Sequence, residues 1–292
     1  MRRMLSRCSC TALLVAGAVG FAVALCGQPP VVFSPPRADE NGVLEHRVRS
    51  PLQRGETTLR VLLPDNRAPG ERFRALYVLP VEALDGRRWG DGFGAIRRQE
   101  MHNRYRLICV APTFSDLPWY ADHPTDARLR QEGYFVNEVV PFIDRAYPAA
   151  GGREARLLLG FSKSGWGAWS LLLRHPDTFG RAAAWDAPLN QDRPDRFGMG
   201  PIFGTPENFE RYRVSGLLER QATELRGEPR LVLTGYGNFR AHHEAIHEQL
   251  LRLGIPHIYV DGPPRWHHWE TGWIEEAIRL LLETGPAGSG GR

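Results

Sequence analysis

Cysteine and lysine are almost absent from this chain. It has four cysteines in 292 residues, and three of them, Cys8, Cys10 and Cys26, fall within the first 27. Only Cys109 remains beyond, inside the strand-like run RLICVAP. No internal disulfide can therefore staple the main body, which must be stable through its apolar core. Cys109 itself reads as a small buried hydrophobe. Cys/His spacings of the zinc type are also missing, so no metal and no cofactor is expected. Lysine occurs once, as Lys163, against 36 arginines, a compositional bias more than a signal. Excess charge is lacking as well. The formal net charge is +4, and Arg2, Arg3 and Arg7 supply three of those charges, leaving +1 for the rest. That removes the electrostatic basis for a nucleic-acid partner. A hydrophobic share of 42% with 24% charged residues is ordinary globular composition, and no internal repeat is visible.

The first 27 residues hold a basic start, MRRMLSR, followed by the apolar ALLVAGAVGFAVALCG. This is the layout of a secretory signal. Cleavage after Ala24 would satisfy the small-x-small rule through Ala22 and Ala24. Cys26 offers a lipoprotein reading, although Leu25 is bulkier than the residue that usually precedes a lipid-bearing cysteine. An uncleaved anchor of similar length is the remaining alternative. The expected location is outside the cytoplasm: periplasmic, secreted or lipid-anchored. Membrane contact is expected only through this signal or a lipid on Cys26. Residues 28–50, opening QPPVVFSPPRADENG, read as a linker, 51–285 as the folded domain and 286–292 as a flexible tail.

Within the domain, apolar runs alternate with helical patterns. Strands are expected at 57–64, 73–81, 106–114, 156–161, 180–188, 229–235 and 256–262, several of them solid apolar runs. Helices are expected at 130–147, where Pro141 would kink the chain, and then from near Ser164, at 241–254 and at 269–283. The alternation implies parallel βαβ units with buried strands, hence an α/β domain with a mostly parallel central sheet flanked by helices. Residues 189–228 read as a short irregular insertion over one end of the sheet. In such folds ligands bind beyond the carboxyl ends of the strands, which directs attention to the segments that follow them.

GFSKSGWGA, residues 160–168, directly follows the strand at 156–161. A serine on a tight strand-to-helix turn is pushed into solvent at the top of the sheet, and the positions two before and two after it must be small. For Ser162 those positions are Gly160 and Ser164; for Ser164 they would be Ser162 and Trp166, and tryptophan cannot fit. Ser162 is therefore the candidate nucleophile, with the backbone N–H of Lys163 as an oxyanion donor. The competing reading is a glycine-rich helix start with packing serines. PPRWHHWETGW supplies a candidate base after the last strand, His267, with His268 behind it. His242, His243 and His247 lie at helical spacing without an acidic or cysteine partner, and read as a solvated helix face rather than a metal site. The acid is harder to place. The turn after 229–235 reads Tyr236-Gly237-Asn238-Phe239, with no carboxylate before Glu244. Asp186, ending the preceding strand, is the leading acid, and Asn238 the alternative acid position, able to orient an imidazole but not to stabilise its charge. A turn former ahead of Pro188 is the competing role for Asp186.

On these residues the chain resembles the putative-esterase family of α/β-hydrolases, which includes esterase D, feruloyl esterases and the mycolyltransferase antigens. The likeness covers about residues 55–283. GFSKSGWGA is similar to the family's Gly-x-Ser-Met-Gly-Gly-x-Gly-Ala segment, and HHWETGW to a terminal His-x-Trp with a further tryptophan. NEVVPFIDRAYP resembles the helix before the nucleophile strand, and SDLPWYADHP the Trp-Tyr-x-Asp loop beside the substrate. The resemblance implies an α/β-hydrolase fold, with residues 189–228 inserted after the sixth strand of the family's order. Three positions depart from the family: Ser164 for the second elbow glycine, Asn238 for the acid, and YVLPVEALDG for Leu-His-Gly after the third strand. Pro80 has no N–H, so Val81 or Glu82 would supply the second oxyanion donor, with Glu82 taken here. The expected activity is that of an exported serine esterase, with Trp119, Tyr120 and Trp269 lining the entrance for a small-molecule or carbohydrate-linked ester. Packing beneath loops is the competing role of those aromatics. A non-catalytic binding protein of the same fold and a serine peptidase are the alternative functions.

Overall fold

A computed structural model describes residues 29–283, so the expected signal at 1–27 and tail at 286–292 lie outside the described residues. Ten strands form one sheet: β1 (Val32–Phe33), β2 (Arg37–Ala38), β3 (Leu44–Arg49), β4 (Thr57–Leu62), β5 (Arg74–Val78), β6 (Leu107–Pro112), β7 (Arg156–Phe161), β8 (Arg181–Trp185), β9 (Leu231–Tyr236) and β10 (His257–Pro264). Their order is β1-β3-β4-β6-β5-β7-β8-β9-β10, with β2 paired to β3 outside that path. From β6 to β10 every pairing is parallel, while β1, β2, β3 and β4 join antiparallel. The mostly parallel sheet is therefore as expected, with an antiparallel extension on one side.

That extension corrects the linker expected at 28–50. Leu44 to Arg49 alternate, with His46 and Val48 buried while Glu45, Arg47 and Arg49 face solvent. This is the period of a half-buried strand, and it places β3 against β4 in register from Leu44–Val61 to Val48–Thr57. The prolines that suggested a linker flank two-residue strands at the sheet's margin, where no ladder hydrogen bond is lost to them.

Central strands bury both faces. In β7, Leu158 points to one core layer and Leu157 and Leu159 to the other; in β8, Ala182 and Ala184 oppose Ala183 and Trp185. One layer packs under the helices Lys163–Arg174 and Arg240–Leu253, the other under Gly92–Arg98 and Ile274–Leu282. Residues 130–147 do form a helical stretch, and the turn before Pro141 widens into a π segment, Tyr134–Val139. Proline has no N–H for the carbonyl four residues back, so the regular ladder cannot continue through it. The 189–228 stretch carries short helices Gly200–Phe203, Pro206–Glu210 and Val214–Gln221, the last packed on Lys163–Arg174. Among the described residues no helix is long and apolar enough to cross a membrane.

Glu132 ties three of these parts together. Its carboxylate accepts from Arg174 Nε at 2.7 Å, from His175 Nε2 at 2.6 Å and from the Tyr212 hydroxyl at 2.8 Å. Burial alone would push this carboxyl up, but the hydrogen bonds from His175 and Arg174 more than reverse it, bringing it down to about 2. A depressed folded-state value means the contribution is full above the ordinary carboxylate range and is lost as pH falls towards about 2. Glu132→Ala leaves Arg174 half-buried without its partner. It is expected to cost roughly 3–5 kcal/mol in urea unfolding at neutral pH, with a smaller difference from wild type as the pH drops through the carboxylate range.

Candidate active site

The end of β7 turns sharply at Ser162, whose φ of 53° and ψ of −125° are unusual for a residue with a side chain. Strand and helix then run so close that a Cβ on Gly160 would lie 2.1 Å from the Ser164 carbonyl oxygen, and one on Gly165 would lie 2.8 Å from the Ala187 Cβ. Only glycine fits at 160 and 165. Ser164 is more than a tolerated substitute for the missing elbow glycine. Its hydroxyl donates to the Phe161 carbonyl at 2.9 Å and accepts the Phe161 N–H at 3.0 Å, so it laces the turn from inside the core. Ser162 is thereby held at the top of the sheet, with only 8% of its surface exposed.

His267 follows β10. The strand bulges between Val260 and Pro264, and the Arg265 N–H then donates to the Tyr236 carbonyl at 3.0 Å, carrying the chain across towards β7. Arg265 Nη1 donates to the Thr271 carbonyl and Trp273 Nε1 to the His268 carbonyl, bracing the loop. The His267 Nε2 lies 3.0 Å from Ser162 Oγ, and its Nδ1 lies 2.5 Å from Asp186 Oδ2. A carboxylate can only accept, so Nδ1 carries the proton and Nε2 is left to accept from the serine hydroxyl. His268 faces the other way, against the backbone of Gly90.

Asp186 is fully buried at the end of β8, the strand between β7 and β9. Its carboxylate accepts the Asn238 N–H at 2.8 and 2.9 Å and the Phe239 N–H at 2.7 Å, at the start of the helix Arg240–Leu253. Burial alone would raise this carboxyl, but the hydrogen bonds from His267 and from the backbone of 237–239 outweigh it and hold it below its usual range. Asn238 thus contributes its backbone N–H, not its exposed side chain. Gly237 makes this possible, because a Cβ there would stand 2.7 Å from Asp186 Oδ2 and 2.6 Å from the Arg265 carbonyl oxygen.

Lys163 opens the helix Lys163–Arg174, and among the described residues no hydrogen bond joins its ammonium to Ser162. Burial pushes that ammonium down, opposed by the nearby Glu82 carboxylate and reinforced by Arg88. Glu82 sits in the loop after β5, where its carboxylate accepts the Arg88 N–H at 2.7 Å. The expected entrance aromatics need correcting. Trp119 and Tyr120 are completely buried and line no opening, whereas Trp269, 3% exposed, shows only an edge to a cleft it shares with Pro80, Val81 and Gly92. The Trp119 indole donates to the Phe197 carbonyl, the Tyr120 hydroxyl donates to the Pro80 carbonyl at 2.6 Å, and Trp269 packs on Trp273 and Gly92. Tyr120 therefore fixes the loop that carries Val81 and Glu82 rather than touching a ligand. The aromatics that surround the imidazole are Phe161 of β7, with ring centroids 4.4 Å apart, Trp89, 5.1 Å away edge-on, and Phe239 at 5.6 Å. Beyond them Trp266 is 86% exposed and Phe197 45% exposed. Trp266 could have been singled out from its place beside His267; nothing in the sequence marks Trp89, Phe197 or Phe239.

The helix histidines are not a solvated face either. His243 is buried, and its Nε2 accepts the Ala187 N–H at 2.9 Å. Among the described residues one group, Asp65, Glu100 and His102, brings metal-type donor atoms within 4.8 Å of one another. The Asn103 amide already donates to both of those carboxylates, at 2.8 and 2.6 Å.

A family model described as "Putative esterase" matches residues 50–227. The chain belongs to this family. Its fold is the α/β-hydrolase fold. Among solved structures, this esterase is similar to the fluorophosphonate-binding serine hydrolase FphF of Staphylococcus aureus, at 18% identity and a TM-score of 0.67 over 86% of this chain and 100% of that one. A ferulic acid esterase aligns at 21% identity and a TM-score of 0.62 over 82% and 96%. MPT51 (FbpC1) of Mycobacterium tuberculosis aligns at 16% identity and a TM-score of 0.59 over 85% and 98%. At such identities the likeness concerns the fold. A search of curated proteins returns no match.

Removing the Ser164 hydroxyl leaves two backbone groups of Phe161 without their partner inside the core. Ser164→Ala is expected to lower stability by about 1–3 kcal/mol, measurable as a lower midpoint in denaturant. Gly237→Ala sets a Cβ against the Arg265 carbonyl and the Asp186 carboxylate, and is expected to lower stability as well, by roughly 1–3 kcal/mol, read from the same denaturation midpoint.

Proposed function

We propose that this esterase is an exported carboxylic-ester hydrolase that works through an acyl-enzyme on Ser162, with His267 as base and Asp186 as the acid that holds the imidazolium. The unbroken chain of contacts from Ser162 Oγ to His267 to Asp186, at 3.0 and 2.5 Å, carries this reading. In the first half-reaction Ser162 Oγ attacks the ester carbonyl and its proton passes to His267 Nε2. The tetrahedral oxyanion forms, and collapses as His267 returns the proton to the departing alcohol. Water, deprotonated by the same nitrogen, then attacks the acyl carbonyl and frees the acid with Ser162 restored. Asp186 stays ionised throughout, because its accepted N–H groups hold its pKa down.

The oxyanion is assigned to the backbone N–H of Lys163, at the free N-terminus of its helix, and to that of Glu82. Supporting the second donor, neither Val81 nor Glu82 gives its N–H to a backbone carbonyl among the described residues, and Tyr120 holds the preceding carbonyl of Pro80. Trp89, Phe239 and the exposed Trp266 and Phe197 favour an ester with an apolar or ring-bearing portion, a small molecule or a carbohydrate-linked ester. Export rests on the basic-then-apolar pattern of the first 27 residues.

Fluorophosphonate labelling tests the nucleophile. Wild type should be labelled on one site and Ser162→Ala not at all, and a well-folded wild type that resists labelling would sink the proposal. Asp186→Asn should reduce kcat by as much as about 10⁴-fold with little change in KM, since asparagine favours the wrong tautomer and cannot stabilise the charge. Cell fractionation with amino-terminal sequencing of the mature chain checks the export assignment; a cytoplasmic protein retaining Met1 would contradict it.

A further inference from the structure

We infer that His243 is a positioning residue for the catalytic acid: by accepting the Ala187 N–H on Nε2 it keeps the strained turn at Asp186 in the posture that reaches His267. The inference rests on the hydrolase reading above, but its geometric core does not depend on any substrate.

Asp186 needs holding. Its φ is +42°, a left-handed backbone that an aspartate adopts at a cost, and such a conformation persists only where its surroundings over-determine it. Strand pairing contributes little, since the Asp186 N–H reaches the Gly235 carbonyl at a long 3.4 Å. The helix Arg240–Leu253 does the rest from both sides of the residue. Its leading N–H groups, at Asn238 and Phe239, take the Asp186 carboxylate, and His243, within its first turn, takes the N–H of the very next residue. Ala187 has no room to drift, because it packs against Gly165 in the first turn after the nucleophile. One backbone amide is thus wedged between the helix that presents Ser162 and the helix that caps the acid.

The contact requires an unprotonated Nε2. His243 is 2% exposed, and burial pushes its pKa down to about 4, with Asp186 and Asp261 opposing and His242 adding to the fall. The groups facing the ring are therefore Asp186 from the end of β8, Asp261 from β10 and His242 from its own helix. Folding keeps the ring neutral, so its contribution is full above the ordinary histidine range and is lost as pH falls from there through about 4. Once protonated, Nε2 becomes a donor opposite the Ala187 N–H, and the turn loses its clamp.

The test compares His243→Leu, which fills the space but cannot accept, with His243→Gln, which can. Two readouts are taken on each full-length variant: the fluorophosphonate labelling rate at Ser162, and the low-field proton NMR resonance of His267 Nδ1–H, which reports its bond to Asp186. His243→Leu is expected to label roughly 10- to 100-fold more slowly at neutral pH, with kcat reduced more than KM changed and the low-field resonance lost or shifted. His243→Gln should recover most of the rate and the resonance at neutral pH, because its side-chain oxygen can accept the Ala187 N–H. A folded Leu variant with wild-type labelling, resonance and pH profile overturns the inference. So does a Gln variant as impaired as the Leu variant, because packing rather than the accepted N–H would then be the cause. If wild type shows the resonance but takes no label, the hydrolase reading fails, and the resonance in the two variants decides the positioning role by itself.

Discussion

A carboxylate buried without any exposed surface has to remain charged in this protein, and much of the surrounding structure follows from that requirement. Taking an isolated carboxylate out of water would cost several kcal/mol and drive it to its neutral, useless form. Asp186 avoids this because a histidine and the backbone N–H groups at the start of a 14-residue helix converge on it. The helix dipole favours a negative charge at that end. The carboxylate that meets His267 consequently stands on the neighbouring strand, and the β9 turn contributes donors in place of a side chain.

The small residues around the site are consequences of this arrangement. Gly237 lets the β9 turn come within reach of Asp186, Gly160 lets β7 and its helix approach at Ser162, and Gly165 leaves room for Ala187. Two residues, Ser162 and Asp186, sit at positive φ on adjacent strand ends. The backbone there is bent by force of packing, and the core beneath supplies it: β8 is a run of three alanines, thin enough for the helix Lys163–Arg174 to settle close to the sheet.

Aromatic residues divide between two tasks that look alike in one dimension. Trp119, Tyr120 and Trp269 occupy positions beside the motifs, yet all three are inside. Large rings bury the most apolar area, and the indole N–H of Trp119 and the hydroxyl of Tyr120 find partners on loop carbonyls, so they are well suited to pinning the loops that shape the site. The rings around His267 come instead from separate segments, Phe161 at the end of β7, Trp89 after β5 and Phe239 after β9. Their proximity is a product of sheet order.

Local pattern was enough for the seven main strands and for most of the helices, though not for Gly92–Arg98, and it singled out Ser162, His267 and Asp186, which the fold brings into contact, because alternation, apolar runs and steric size at a tight turn are properties of neighbouring residues. The strand at 44–49 was obscured by the prolines near it, although its alternation is plain once its partner is known. What folding alone decided was the meaning of groups that act across the chain. Asn238 serves through its backbone, Ser164 through a bond back into its own strand, and His243 through an amide 56 residues earlier in the chain. A backbone N–H looks the same at every position of a sequence, and only tertiary packing determines which one faces an acceptor.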